Sequence, residues 1–162
     1  MNTIKWENYK LAWDRINHAK EHGCGIEVIA ISESIMNDRL LSFLEGQPNN
    51  QISVKTSFYS KIKAMGTYLN APIGIEITAR EGSSHESCST NDLFREVDNW
   101  RVDRNKIIHG IARPESDWTP NNSIEFETLL NKTAKQGENL ARMVIKWHGI
   151  ALAAHRKETC IS

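Results

Sequence analysis

Several features that would commit a chain to a class are missing here. Cysteine is scarce: Cys24, Cys88 and Cys160 are the only three. They lie far apart, their number is odd, and no two stand in a CxxC, so neither a disulfide framework nor a zinc knuckle is indicated. A reduced cytosol is the simpler home. There is no excess of one charge, since 20 Lys and Arg offset 20 Asp and Glu. A neutral chain has no global electrostatic footprint for nucleic acid or anionic membrane, so a nucleic-acid partner must be met by a local patch. No apolar run reaches the roughly 18 residues of a membrane span. The start, Met1-Asn2-Thr3-Ile4-Lys5-Trp6-Glu7, lacks the apolar stretch of a signal peptide. Walker loops, dinucleotide-binding glycine turns, Gly-x-Ser-x-Gly elbows and the Glu-x-x-His pairs of di-iron bundles are also lacking. A soluble, cytoplasmic protein with neither metal nor cofactor is therefore expected.

What is present is an ordinary globular composition. The 162 residues are 40% hydrophobic and 25% charged, which suits one domain over 1–162 with a real core. Trp6, Tyr9, Trp13 and Ile16 step by three and four along one helical face, and Gly23 stops that helix. A second helix is expected from Gly25 to Glu45, ahead of Gly46 and Pro48. One of its rows holds Ile26, Ile29, Glu33, Met36, Leu40 and Phe43, and a parallel row holds Val28, Ile31 and Ile35. Phe58, Ile62, Met65 and Leu69 give a third helix over Ser57–Leu69. Ile73, Ile75 and Ile77 then alternate like a strand with no visible mate, and residues 70–91 as a whole read as a flexible polar loop. A fourth helix is predicted from Asp92 to Ala112, capped by Thr90 or Asn91. Pro114 and Pro120 bracket the next loop. The last helix starts at Asn122 or Ser123, where Asn122 and Glu125 suit a capping pair, and runs to about Arg156. Its seam is Phe126, Leu130, Thr133, Gly137, Leu140, Val144, Trp147 and Ala151. The fold class is all-α: a five-helix up-and-down bundle with two long helices.

The fourth helix carries the chemistry. Leu93, Val97, Trp100, Arg104, Ile107 and Ile111 form its seam, which places a guanidinium among apolar residues. An unpaired charge there would cost roughly several kcal/mol. Glu33 stands in the same kind of position on the second helix, so the two residues are inferred to approach. A structural ion pair and a positioned functional arginine are both compatible with that pairing. Arg101, Asn105 and His109 step by four along a neighbouring face, and His109 lies about 7–8 Å beyond Arg104 along the axis. A guanidinium, an amide and an imidazole at a cleft edge suit a phosphodiester, because arginine grips phosphate oxygens and histidine moves protons near neutrality. A histidine satisfied in the core is the plainer alternative for His109.

Arg104-Asn105-Lys106-Ile107-Ile108-His109 resembles the motif of HEPN domains, in which an arginine, often followed by a polar residue, precedes a histidine by a few residues. HEPN domains are small all-α bundles with the motif ahead of the last long helix, so the resemblance in helix order covers nearly the whole chain. It implies a metal-independent endoribonuclease, homodimeric, with two motifs facing one cleft. RNA, tRNA among the candidates, would be cut by its own 2′-hydroxyl to leave a cyclic phosphate. By that resemblance His109 is the general acid or base, Arg104 stabilises the transition state and Asn105 orients the phosphate or the arginine. Glu33, Arg101 and Lys106 support them. Toxin–antitoxin and antiviral defence are the implied settings, with an antitoxin protein as a partner. One subgroup has a tyrosine two residues after the histidine, as a target for modification; here Ile111 stands there, which puts control by that route in doubt. Other members are inactive and only bind a nucleotide, RNA or a protein.

Other constellations carry less. His18 and His22 are four apart without a third ligand and read as a solvated helix end. His148 and His155 have no partner motif. Cys24, between two glycines, reads as a packing cysteine. Lys61 and Lys63 near Tyr59 are RNA-contact candidates whose default is a solvated face. Trp118 is either a stacking platform for a base or a lid on the core.

Overall fold

A glycine in the left-handed region ends the first helix. In the computed structural model, which describes residues 3–47, 51–68, 74–77, 86–112 and 123–159, helix α1 spans Thr3–Glu21 and Gly23 follows it with φ of 69°. The Cys24 amide donates to the Ala19 carbonyl at 2.7 Å and the Gly23 amide to Lys20 at 3.3 Å. These two bonds satisfy the last carbonyls of the helix in the pattern that a left-handed residue makes possible. Helix α2 spans Gly25–Glu45, and α3 spans Phe58–Tyr68. The Ser57 hydroxyl caps α3 by accepting the Ser60 amide at 3.1 Å.

Two stretches of the expected 70–91 loop are strands. β1 (Gly74–Ile77) pairs antiparallel with β2 (Glu86–Ser89), with Ile75 opposite Cys88. The alternation at 75 and 77 had no mate in the sequence because β2 is a polar Glu-Ser-Cys-Ser segment without a strand pattern. The ribbon leads straight into helix α4, Thr90–Ala112. Its cap is Ser89, not Thr90 or Asn91. The Ser89 hydroxyl accepts the Asp92 amide at 3.1 Å and donates to the Asp92 carboxylate at 2.6 Å. That second bond, and after it the nearby Arg95, hold the Asp92 carboxyl below its ordinary range. Helix α5, Ser123–Thr159, has 37 residues. Leu69, Trp118, Asn122 and Cys160, and the side chains of Trp6, Ile111 and His155, lie outside the described residues, as does the Asn122–Glu125 capping pair.

The five helices make an all-α bundle whose described residues fall into two compact units. One comprises residues 1–35 and 99–141, the other 36–98 and 142–162. In the first unit Trp100 is wholly buried, and its indole N–H donates to the Thr133 carbonyl at 2.9 Å. Gly137 makes room for that ring: a Cβ at Gly137 would sit 2.8 Å from Trp100 Cζ2. Ile16, Val28, Ile29, Ile107 and Leu140 are also buried in this unit. Lys20 ties α1 to α5 through Glu138 at 2.8 Å. Ile26, expected on the buried row of α2, is instead 40% exposed. It lies in the first turn of α2, beside the exposed Cys24.

In the second unit Trp147 is the hub. Phe94 meets it edge-on at 4.8 Å and Phe43 at 4.9 Å, with Met36, Leu40, Met65 and Val144 buried in the same unit. This unit also holds Lys61, whose side chain is fully buried and whose ammonium donates to Asn37 Oδ1 at 2.9 Å. Burial pushes its pKa down, with Glu45 opposing the shift.

Gly137→Ala is expected to destabilise the protein by about 1–3 kcal/mol, the usual cost of overpacking, read as a lower urea midpoint with an unchanged slope. Lys61→Met should remove a component of the pH dependence. In the alkaline range below the ordinary 10.5, unfolded Lys61 keeps its proton while the folded residue sheds it. Stability therefore rises with pH there, and the difference between wild type and Lys61→Met should grow in favour of wild type as pH rises through that range. A flat difference would show that Lys61 is solvated in the folded state.

Candidate functional site

The last turns of α4 hold the predicted cluster, all of it within the first compact unit. The helix places Leu93, Val97, Trp100 and Ile107 wholly inside. Arg104 falls on that seam at a point where its side chain keeps 29% of its surface in solvent. Glu33 on α2, 19% exposed, forms an ion pair with Arg104 Nη2. The two apolar seams that each carry one charged residue thus bring those residues together, with opposite signs and partial desolvation of both.

Asn105, the next residue, acts on the same guanidinium. Its carboxamide oxygen accepts Arg104 Nη1 at 2.8 Å. The third nitrogen, Arg104 Nε, is buried with no hydrogen-bond partner among the described residues. The guanidinium is therefore held at two of its nitrogens, one by charge and one by an amide dipole. That fixes the plane of its fork far more tightly than either contact would alone.

His109 stands apart from this clamp. It lies in the last turn of α4 and is exposed. No hydrogen bond joins it to Arg104, and it has no partner among the described residues. An imidazole in that state keeps both ring nitrogens available to an incoming group. Lys106 is exposed and donates to Asp103 at 2.8 Å, so part of its charge is offset on the same helix. Arg101 is half-buried. The structure thus joins Arg104, Asn105 and Glu33 and leaves His109 in solvent further along the helix. Asp103 is the partner that the sequence motif does not include; its place three residues before Lys106 is the signal that identifies it.

Charge divides along α4. Its first half carries Asp92, Arg95, Glu96 and Asp98, while its second half carries Arg101, Arg104 and Lys106 against Asp103. Two of these cations are matched by carboxylates, Arg104 by Glu33 and Lys106 by Asp103, so the excess of basic residues along the second half of the helix is small.

The other constellations resolve differently. His18 and His22 are exposed and stack at 4.2 Å between ring centroids, with His22 Nδ1 2.8 Å from the His18 carbonyl. No group of three metal-ligating side chains occurs among the described residues. His148 has a partner that the sequence did not reveal: Arg39 Nη1 lies 3.5 Å from its Nδ1, and the ring is buried. Cys24 is exposed, not packed, because the turn that ends α1 holds it outside. Lys61 is buried and therefore belongs to neither an RNA-contacting nor a solvated face. Lys63 remains outside, its ammonium 5.3 Å from the Tyr59 ring centroid. No helix among the described residues is long and apolar enough to cross a membrane.

No family model, curated protein or solved structure matches this chain. The site is therefore defined by its own residues.

A double-mutant cycle on Glu33→Ala and Arg104→Ala should give a coupling energy of about 1–3 kcal/mol, between that of an exposed pair and that of a fully buried one. Urea unfolding of the four proteins measures it. A coupling below about 0.5 kcal/mol would mean that solvent screens the pair.

Proposed function

We propose that the protein is a metal-independent endoribonuclease of HEPN type, acting as a homodimer with the α4 motifs of two copies at one cleft. The observation that carries this reading is an exposed His109, without a partner among the described residues, following a clamped Arg104 on one helix. The scheme needs one group to move protons and one to meet charge on the phosphate. His109 takes the proton from the ribose 2′-hydroxyl. That oxygen attacks phosphorus, the bond to the 5′-oxygen breaks, and the leaving oxygen receives a proton from the second imidazole, that of the other copy. The products are a 2′,3′-cyclic phosphate and a 5′-hydroxyl. Arg104 lowers the energy of the phosphorane-like transition state by meeting its extra negative charge with fixed N–H donors. Asn105 keeps the plane of those donors constant, and Arg101 and Lys106 supply the local positive field. RNA, tRNA included, is the substrate. A toxin–antitoxin or antiviral setting, with a protein antitoxin and a cytoplasmic location, follows from the same reading.

A second reading has support of its own. The Arg104 guanidinium is already engaged by Glu33 and the formal charge is zero, both of which suit a module that binds a nucleotide, RNA or a protein without turnover.

Purified wild type should cut total RNA in EDTA and leave a cyclic phosphate. His109→Ala should abolish cutting with stability within about 0.5 kcal/mol of wild type, since the residue is exposed. Arg104→Ala should lose both activity and stability. Equal cutting by wild type and His109→Ala would remove His109 from the chemistry; no cutting by either, with both folded, would favour the binding module.

A further inference from the structure

Arginine binds phosphate best through two parallel N–H bonds from adjacent nitrogens of its planar fork. Arg104 has two such edges. The edge made by Nε and Nη2 is compromised, because Nε is buried without a partner among the described residues and Nη2 is paired with Glu33. The edge made by Nη1 and Nη2 is held by Asn105 on one nitrogen and by Glu33 on the other. Glu33 sits on Nη2, the nitrogen common to both edges. A carboxylate has the charge, the trigonal oxygens and the hydrogen-bonding capacity of one face of a phosphate. It is also in place before any ligand arrives. Asn105, being neutral, repels no anion, whereas Glu33 does.

We infer that Glu33 is an internal competitor for the anion site of Arg104: its carboxylate occupies the place of a substrate phosphate and must yield Nη2 before a phosphodiester is gripped through two bonds. This rests on the reading of Arg104 as a phosphate-binding group. It assigns the site two states. In the closed state Glu33 neutralises the guanidinium. In the open state a phosphate replaces Glu33, Asn105 keeps the fork in plane, and the Glu33 carboxylate turns toward solvent, which its partial exposure permits. A protein of zero formal charge thereby avoids holding free anions at the site in the absence of RNA. Any group that draws Glu33 away, such as a cationic side chain of a partner, would open the site without touching Arg104.

The probes are inorganic phosphate, read by its effect on thermal unfolding, and a 2′-O-methyl oligoribonucleotide, which lacks the attacking hydroxyl and reports binding alone. Glu33→Gln should bind the oligonucleotide roughly fivefold more tightly than wild type, a ratio typical of one weak ion pair. Phosphate should raise its unfolding midpoint more than that of wild type, because a ligand that fills the vacated place stabilises the folded state. Glu27→Gln, which makes the same change of charge on α2 in a residue paired with Arg15, should leave both readings at the wild-type level. Glu33→Asp, which keeps the charge with a shorter reach, should show an intermediate phosphate effect and decides the matter if Glu33→Gln does not fold. A phosphate response in Glu33→Gln no larger than that of wild type, or weaker oligonucleotide binding, would overturn the competitor role and make Glu33 a strut. The cleavage assay separates this from the wider proposal. Cutting that depends on His109 with no gain in Glu33→Gln sinks the competitor alone. A gain in binding by Glu33→Gln with no cutting by either protein sinks the nuclease and leaves an anion site gated by Glu33.

Discussion

A guanidinium on the apolar seam of a helix cannot be left without a counter-charge, and much of the region around α4 is arranged to provide one. Arg104 stands in line with Trp100 and Ile107, which are both wholly buried. Its charge would oppose packing of that seam if Glu33 were absent. With Glu33 in place, that charge is met within the first compact unit, and the same helix carries Asn105 next to it and His109 further along. The pair is neither fully buried nor fully exposed, so its desolvation cost is moderate and its attraction is only partly screened.

Small residues and caps shape the helices locally. Gly137 admits the Trp100 ring to the surface of α5, which allows the indole N–H to reach a helix carbonyl at Thr133. Gly23 ends α1 in a conformation that side chains with a Cβ resist, and so turns Cys24 outward. Ser89 closes the ribbon and opens α4 with one hydroxyl, which sets where the helix begins. Each device is local; which residues of α4 face inward follows from the apolar periodicity of the helix.

The buried polar groups of the second unit follow the same logic with less charge. Lys61 meets an amide oxygen of Asn37, and His148 lies against Arg39. Neither pair involves the α4 motif. Both were hard to see in the sequence because their members lie on different helices with no spacing rule between them: 24 residues separate Asn37 from Lys61, and 109 separate Arg39 from His148. By contrast, the seam of α5 was legible from Thr133 to Ala151, since every position on it follows the helical step and is buried. Weak periodicity hides an element. β2 is polar and short, so nothing marked it as the mate of β1, and the row that included Ile26 overran the first turn of α2.

Periodicity and the chemistry of single residues were enough to determine five helices, their approximate ends, the presence of one arginine and one glutamate on apolar seams, and the need for those two to meet. These are properties of neighbours along the chain, where the helical repeat converts spacing into direction. Only the tertiary structure decided which edge of the guanidinium each partner takes, that Asn105 serves the arginine, that His109 stays in solvent and that Lys61 does not. Those outcomes depend on how side chains from distant segments share one volume, and the spacing of residues along a chain contains no distance between its helices.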